Sequence, residues 1–330
     1  MTTSLQERLQ FGPHLDVAAR TSAGTGPLRR PENQDNLLMI DTQGRAIFLR
    51  DQQEAHQRVA GWTRGYARIA VLDGMGGHGQ GREAAEAVVA GLLAMPACAT
   101  LGELSAHLDA LHNSLQLHFA SDAGPAKRPG TTLTMLELRP GLPALLYHVG
   151  DSRLYELADG VASVLTVDHV PATAFAMAGL LDEREWWQQV HGEHRSQISQ
   201  AFILGNAFAN PAQLSDPLCA LSPLNLPPYL YHLPDRRAIE LRRGAIYLLA
   251  TDGFWSCADP VDWVTRWPAL LAAADGARGA ADALFEALAA TPPAQLHPDN
   301  LTAVVLRVAP APADETALPL TNPQAERAND

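Results

Sequence analysis

The stretch RIAVLDGMGGHGQGREAAEAVVAGLL (68–93) constrains this chain more than any other. An apolar run ends in Asp73, a glycine-rich segment follows, and then Ala85, Val88, Val89, Leu92 and Leu93 recur at helical spacing. The pattern predicts a strand, a sharp turn and an amphipathic helix over 82–95. Gly74, Gly76 and Gly79 also satisfy G-x-G-x-x-G, the spacing of a dinucleotide cradle. That cradle belongs to a βαβ unit with a parallel sheet. Here Asp73 would set a negative charge beside the pyrophosphate, and the helix is followed by a second helix. The aspartate is therefore the point of the motif, and the glycines serve it.

The second helix is marked by Thr100 and Glu103, a capping box, with Leu104, Leu108, Leu111 and Leu115 along one face. The texture then changes. TLTMLEL (132–138), ALLYHVG (144–150), RLYEL (153–157) and VASVLT (161–166) are short, β-rich and separated by Pro-Gly and Asp159-Gly160 turns. They predict one antiparallel meander. Strands near 237–242 and 245–250, helices near 260–274 and 278–290, and a last strand over 302–308 follow. Strands come in runs and helices in pairs, so packed antiparallel sheets flanked by helices are expected rather than alternating βαβ units. Residues 170–235, with the Trp186–Trp187 pair and weak periodicity, read as an inserted, partly helical lobe. Residues 309–330, rich in Pro, Ala and charge, read as a disordered tail.

A net charge of −12 argues against nonspecific nucleic-acid binding, which needs a basic surface. The N-terminus shows no basic-then-apolar signal pattern, and no apolar stretch is long enough to span a bilayer. The three cysteines, Cys98, Cys219 and Cys257, are widely spaced with no C-x-x-C, so thiolate zinc is not expected and a reducing cytoplasm is.

Five aspartates stand in comparable settings: Asp35 in NQDN, Asp73 in VLDGMGG, Asp151 in HVGDSR, Asp252 in LLATDGF and Asp299 in HPDN. Any one Asp-Gly is ordinarily a turn, as Asp159-Gly160 and Asp275-Gly276 are read here. Together and in order they mean more. If the strands that abut 73, 252 and 299 are neighbours in a sheet, the carboxylates converge at one rim. Converging carboxylates repel, and a hard divalent cation relieves the repulsion. An all-oxygen set favours Mg²⁺ or Mn²⁺ over zinc. Two such ions sharing a carboxylate activate water for attack at phosphorus. His78 and His169 are read as structural, Cys257 as a small buried residue, and Trp186 and Trp187 as packing.

In this order the blocks RRPENQDN (29–36), VLDGMGGHGQG (71–81), PGTTLTML (129–136), HVGDSRLY (148–155), LTVDH (165–169), LLATDGFW (248–255) and HPDNLTAVVL (297–306) resemble the metal-dependent serine/threonine phosphatases of the PPM (type 2C) family, in a bacterial version. The resemblance runs from about residue 15 to 308. It implies an α+β fold: a four-layer α-β-β-α sandwich of two antiparallel sheets flanked by helix pairs, with the 170–235 lobe as a flap-like insert in a phosphatase domain over 1–308. It implies a dinuclear Mn²⁺ or Mg²⁺ centre. Asp73 would bridge both ions and Gly74 would offer a carbonyl to one. Asp252 and Asp299 would hold the other, and Asp35 would hold metal-bound water. Arg30, with Arg29 beside it, falls at the phosphate-binding arginine.

Three departures matter. Gln34 stands where many members have Glu. Met75 stands where others have His. Ser256 stands where many have an Asp that binds a third metal with the residue matching Asp151, so a weak or absent third ion is implied. The expected partners are phosphorylated proteins, among them a serine/threonine kinase or its targets. The competing expectation is a catalytically weak phosphoprotein-binding scaffold on the same fold.

Overall fold

The computed structural model describes residues 9–76, 80–120, 128–193, 197–210 and 213–311. Strands buried on both faces dominate it, and they explain the layering. In β2 (Asn36–Ile40), Leu37 and Met39 enter one core while Leu38 and Ile40 enter another, because successive side chains of a strand point to opposite faces. In β5 (Ala67–Leu72) Ile69 and Val71 divide from Ala70 and Leu72 in the same way.

Seven strands form one antiparallel sheet in the order β14 (Arg236–Ile239), β9 (Leu142–Val149), β8 (Leu133–Arg139), β5, β2, β3 (Arg45–Arg50), β4 (Gln53–Arg58). Five form the other, in the order β1 (Leu15–Ser22), β16 (Leu301–Val308), β15 (Ile246–Ala250), β10 (Arg153–Ala158), β11 (Val161–Val164). Leu37, Ile69, Leu146, Leu154, Tyr247 and Val304 fill the space between the sheets. On the far side of the seven-stranded sheet, α1 (Gly81–Ala94) and α2 (Leu101–His118) bury Val88, Leu92, Leu104 and Leu108. On the far side of the five-stranded sheet, α5 (Pro260–Thr265), α6 (Trp267–Ala272) and α7 (Gly276–Ala290) bury Trp263, Trp267 and Leu284. The α-β-β-α sandwich is thus observed. Two short ribbons, β6 (Gly74–Met75) with β7 (Gly130–Thr131) and β12 (Gln200–Ala201) with β13 (Gly205–Asn206), complete the strands.

The Thr100–Glu103 capping box is present, each side chain bonding the other's backbone N–H. The helical stretch 260–274 is broken at Arg266, where Pro268 withholds an amide proton from the continuing ladder. Asp159 and Gly160, both at positive φ (52° and 78°), make the β10–β11 turn as expected.

The single meander does not hold. β8–β9 is a hairpin of one sheet and β10–β11 a hairpin of the other. Between them Gly150-Asp151-Ser152 crosses from sheet to sheet. Gly150 takes φ of 111°, and a Cβ there would stand 2.7 Å from Thr132 Cβ, so only glycine makes the crossing. Strand pairing is non-local, and the sequence pattern of two hairpins in two sheets is the same as that of one meander.

The lobe has its own core. α3 (Pro171–Met177) and α4 (Glu183–His191) pack Ala176, Trp186 and Val190 against Leu221, Leu226 and Leu230. The tail beyond 311 lies outside the described residues. Among the described residues no helix is long and apolar enough to cross a membrane.

Candidate metal centre

The strand ends on one side of the sandwich surround a pocket of about 530 Å³ lined by Arg30, Gln34, Asp73, Gly74, Asp151, Asp252 and Asp299, among others. Each aspartate arrives from a different connection. Asp73 leaves β5 of the seven-stranded sheet. Asp151 rides the crossing between sheets. Asp252 and Asp299 flank β15 and β16, which are neighbours in the five-stranded sheet, where Ala250 pairs Ala303. The rim is therefore shared by both sheets. It is not the edge of one, as the sequence reading required, because Asp73 and the Asp252–Asp299 pair sit in opposite layers.

Asp35, just before β2, does not line the pocket but is buried behind it. Its Oδ2 accepts a 2.9 Å hydrogen bond from Thr251 Oγ1, and its Oδ1 makes none among the described residues. Burial, and then the charges of Asp299 and Asp252, push its carboxyl up to about 8. Desolvation also drives Asp73 well above the usual range, followed by repulsion from Asp35, Asp252, Asp299 and Asp151. Asp299 is raised to about 6 by burial and Asp252, against the pull of Arg30, whose Nη2 lies 3.0 Å from its Oδ1. Four carboxylates thus line one pocket with a fifth, Asp35, behind it, and Asp73 feels the charge of all the others. Among the described residues no three of them close on a single point as a ligand set in this arrangement. The donor chemistry is hard oxygen throughout, the buried Asp35 Oδ1 is unspent, and the mutual repulsion is what a divalent cation relieves. These residues fit such an ion.

The GTT block explains itself here. Thr132 Oγ1 accepts from Asp73 N (2.8 Å), while Thr132 N and Thr131 Oγ1 donate to the Asp73 carbonyl (2.9 and 3.0 Å). Asn300 accepts from Gln34 N at 2.8 Å and donates to the Glu32 carbonyl at 2.9 Å, pinning the 29–36 block to the last strand. These positioning residues, with Thr251, were not singled out by sequence reasoning; the block order was their only signal. Gly74 has a steric reason: a Cβ would stand 2.4 Å from the carbonyl oxygens of Gln34 and Gly81. Gln34 Nε2 donates to Glu32 Oε2 at 3.2 Å.

Arg30, half exposed, lines the pocket, and Arg29 does not. Met75 is at the pocket wall. Ser256 is buried and does not line the pocket. His169 is structural: its Nδ1 accepts from Gly150 N at 3.1 Å. His78 lies outside the described residues. Cys257 is buried, and burial pushes its thiol up. Trp186 packs in the lobe core, whereas Trp187 is 48% exposed.

No family model matches the chain. Over 205 residues, 61% of its length, it is 29% identical to the serine/threonine protein phosphatase PstP of Mycobacterium tuberculosis. The match spans 34% of that relative, so the chain covers about a third of it. The PPM Ser-Thr phosphatase MsPP from Mycobacterium smegmatis, solved with cacodylate, superposes with a TM-score of 0.58 at 22% identity, covering 90% of this chain and 100% of that one. The catalytic domain of PstP, solved with two manganese ions, superposes with a TM-score of 0.56 at 24% identity, covering 90% and 99%. The fold is that of the PPM serine/threonine phosphatases.

Proposed function

We propose that this chain is a metal-dependent phosphatase of phosphoserine and phosphothreonine in proteins. The observation that carries the reading is the cluster of carboxylates at the seam of two sheets, four lining the pocket and Asp35 buried behind it, all of them crowding Asp73, with an arginine at the rim. A scaffold has no use for carboxylates held at that electrostatic cost, which favours the enzyme. Two Mn²⁺ or Mg²⁺ ions are the proposed cofactors, supported by the hard-oxygen donor set and by the two manganese ions of the PstP domain. When bound, they neutralise the carboxylates and activate water for attack at phosphorus.

The residues divide the work. Asp73 would serve both ions, the Gly74 carbonyl would be offered to one, Asp252 and Asp299 would hold the other, and Asp35 would hold metal-bound water. Thr131 and Thr132 fix the Asp73 backbone from which the carboxylate projects. Asp151, delivered by the crossing segment, would be a ligand of any third ion, for which Ser256 offers no second acid. The Arg30 guanidinium binds two phosphate oxygens of the substrate through its planar fork. The phosphatase unit is residues 1–308, and the 170–235 lobe, whose Gln197 and Ile198 reach the pocket, contributes to substrate choice. Phosphorylated proteins, including a serine/threonine kinase or its targets, are the proposed partners. Three unpaired cysteines favour a reducing, cytoplasmic setting.

The test is hydrolysis of p-nitrophenyl phosphate and a phosphothreonine peptide by purified protein with Mn²⁺, Mg²⁺ or EDTA, beside Asp252→Asn. Metal-dependent release lost in the variant is expected. No release with any metal, from protein that still binds Mn²⁺, would turn the reading to a scaffold.

A further inference from the structure

A second cavity, of about 260 Å³, opens beside the carboxylate pocket, and the two share Asp151 and Gln197 in their walls. Its other described lining residues all fall within 168–193, on the segment before α3, on α3 itself, and on α4 with the turn after it. A phosphorylated side chain seated in the carboxylate pocket carries its peptide over the rim. This cavity is the concave surface that a neighbouring residue of that peptide meets on the lobe side.

The wall offers three kinds of surface. Phe175 on α3 is 43% exposed, although Ala172 and Ala176 of the same helix are buried, and its ring lines the cavity and is not part of the lobe core. Gln188, Gln189 and Gln197 bring side-chain amides, which accept as well as donate and so carry no preference of sign. The carboxylates are not equivalent. Asp168 is buried and its charge is met by Arg153, whose Nε and Nη2 bond it at 2.7 to 3.1 Å. Asp151 belongs to the proposed metal site. Glu193 is exposed, and it makes no ion pair or hydrogen bond among the described residues. The sign of the cavity is therefore set by Glu193. A guanidinium suits that combination: it is planar and weakly hydrated, stacks on an aromatic face, and donates to carboxylate and amide oxygens at once. A lysine ammonium is compact and strongly hydrated and gains less from the ring. A glutamate would meet the charge of Glu193.

We propose that the lobe selects protein substrates carrying an arginine close to the phosphoserine or phosphothreonine, with the guanidinium held against Phe175 and Glu193. The inference rests on the phosphatase reading and gives it a substrate class. Phe175 and Glu193 are specificity residues and take no part in the hydrolysis itself.

The experiment compares kcat/KM of the full chain for phosphothreonine peptides bearing arginine, lysine, alanine or glutamate at each neighbouring position in turn. p-Nitrophenyl phosphate serves as a substrate with no flanking residue. At one or more positions arginine is expected to exceed alanine by roughly fivefold, the worth of an exposed charge pair with a cation–π contact, and to exceed glutamate by roughly tenfold or more. Glu193→Lys, at an exposed position, should leave p-nitrophenyl phosphate hydrolysis unchanged and turn the preference from arginine to glutamate. Phe175→Ala should bring arginine and lysine level. Hydrolysis of p-nitrophenyl phosphate with all peptides equal in kcat/KM, or with the arginine preference intact in Glu193→Lys, would overturn this inference and leave the phosphatase reading standing. No hydrolysis of any substrate with Mn²⁺ or Mg²⁺ would overturn both.

Discussion

Arg30 and Asp299 form an ion pair at 3.0 Å, although one is the proposed phosphate ligand and the other a proposed metal ligand. The pair is a stand-off between two unfinished sites. A cation at Asp299 takes over the neutralising role and leaves the guanidinium for substrate. Arg30→Ala should therefore act on substrate binding, raising KM by about 10- to 100-fold, the worth of a charged hydrogen bond, with kcat changed little. Steady-state kinetics on the phosphothreonine peptide check this, and a fall in kcat at unchanged KM would reassign Arg30.

Asp73→Asn separates function from stability. It should reduce hydrolysis by at least about 10³-fold, since the carboxylate serves both proposed ions. It should also raise the melting temperature of EDTA-treated protein, because a neutral amide of the same shape removes a charge from a repelling group. Activity near the parent's would refute the assignment. An unchanged or lower melting temperature would refute the account of the repulsion.

The pH dependence follows from the raised carboxyls. An aspartate near 4 in the unfolded chain stands at about 6 for Asp299 and about 8 for Asp35 in the folded protein. Between those limits the native state holds more protons than the unfolded one, so its stability falls as pH rises. The metal-free protein should lose melting temperature from pH 5 to pH 8. Mn²⁺ should restore more of it at pH 8, where it competes with fewer protons. Thermal melts across pH with and without Mn²⁺ decide this, and a flat metal-free profile would contradict it.

Ser256→Asp would supply the acid that the resemblance implies at this position, and the sequence alone predicts a gain in turnover at high Mn²⁺. The structure reverses that expectation. Ser256 is 1% exposed, its Oγ has no partner among the described residues, and it is off the pocket lining. A carboxylate there is a buried charge without a counterion, costing roughly 3 kcal/mol or more. The expected outcome is a melting temperature lower by about 5–10 °C and no gain in turnover. A gain in turnover would place Ser256 at a metal after all.

The aspartates were legible because each flanks an apolar run and abuts glycine or asparagine, a local pattern. The helices at 81–94 and 101–118 were legible for the same reason, in their 3.6-residue periodicity and cap. The N-terminal strands were not. β2 is buried on both faces and shows no alternation, while the edge strand β4, QEAHQR, is almost wholly polar. Sheet membership was illegible at 142–164, because register and partner are settled by packing rather than by the residues themselves. Thr132 and Thr251 escaped notice because a strand threonine looks the same whether its hydroxyl holds an aspartate or faces water.

β16 lies between β1 and β15, so the first long strand of the five-stranded sheet pairs with the last. During synthesis that sheet stays split until residues 301–308 have left the ribosome, and Asp299 arrives only just ahead of them. A nascent chain therefore cannot assemble the full carboxylate ring early. The order of translation itself delays any hydrolytic competence until the sandwich can close.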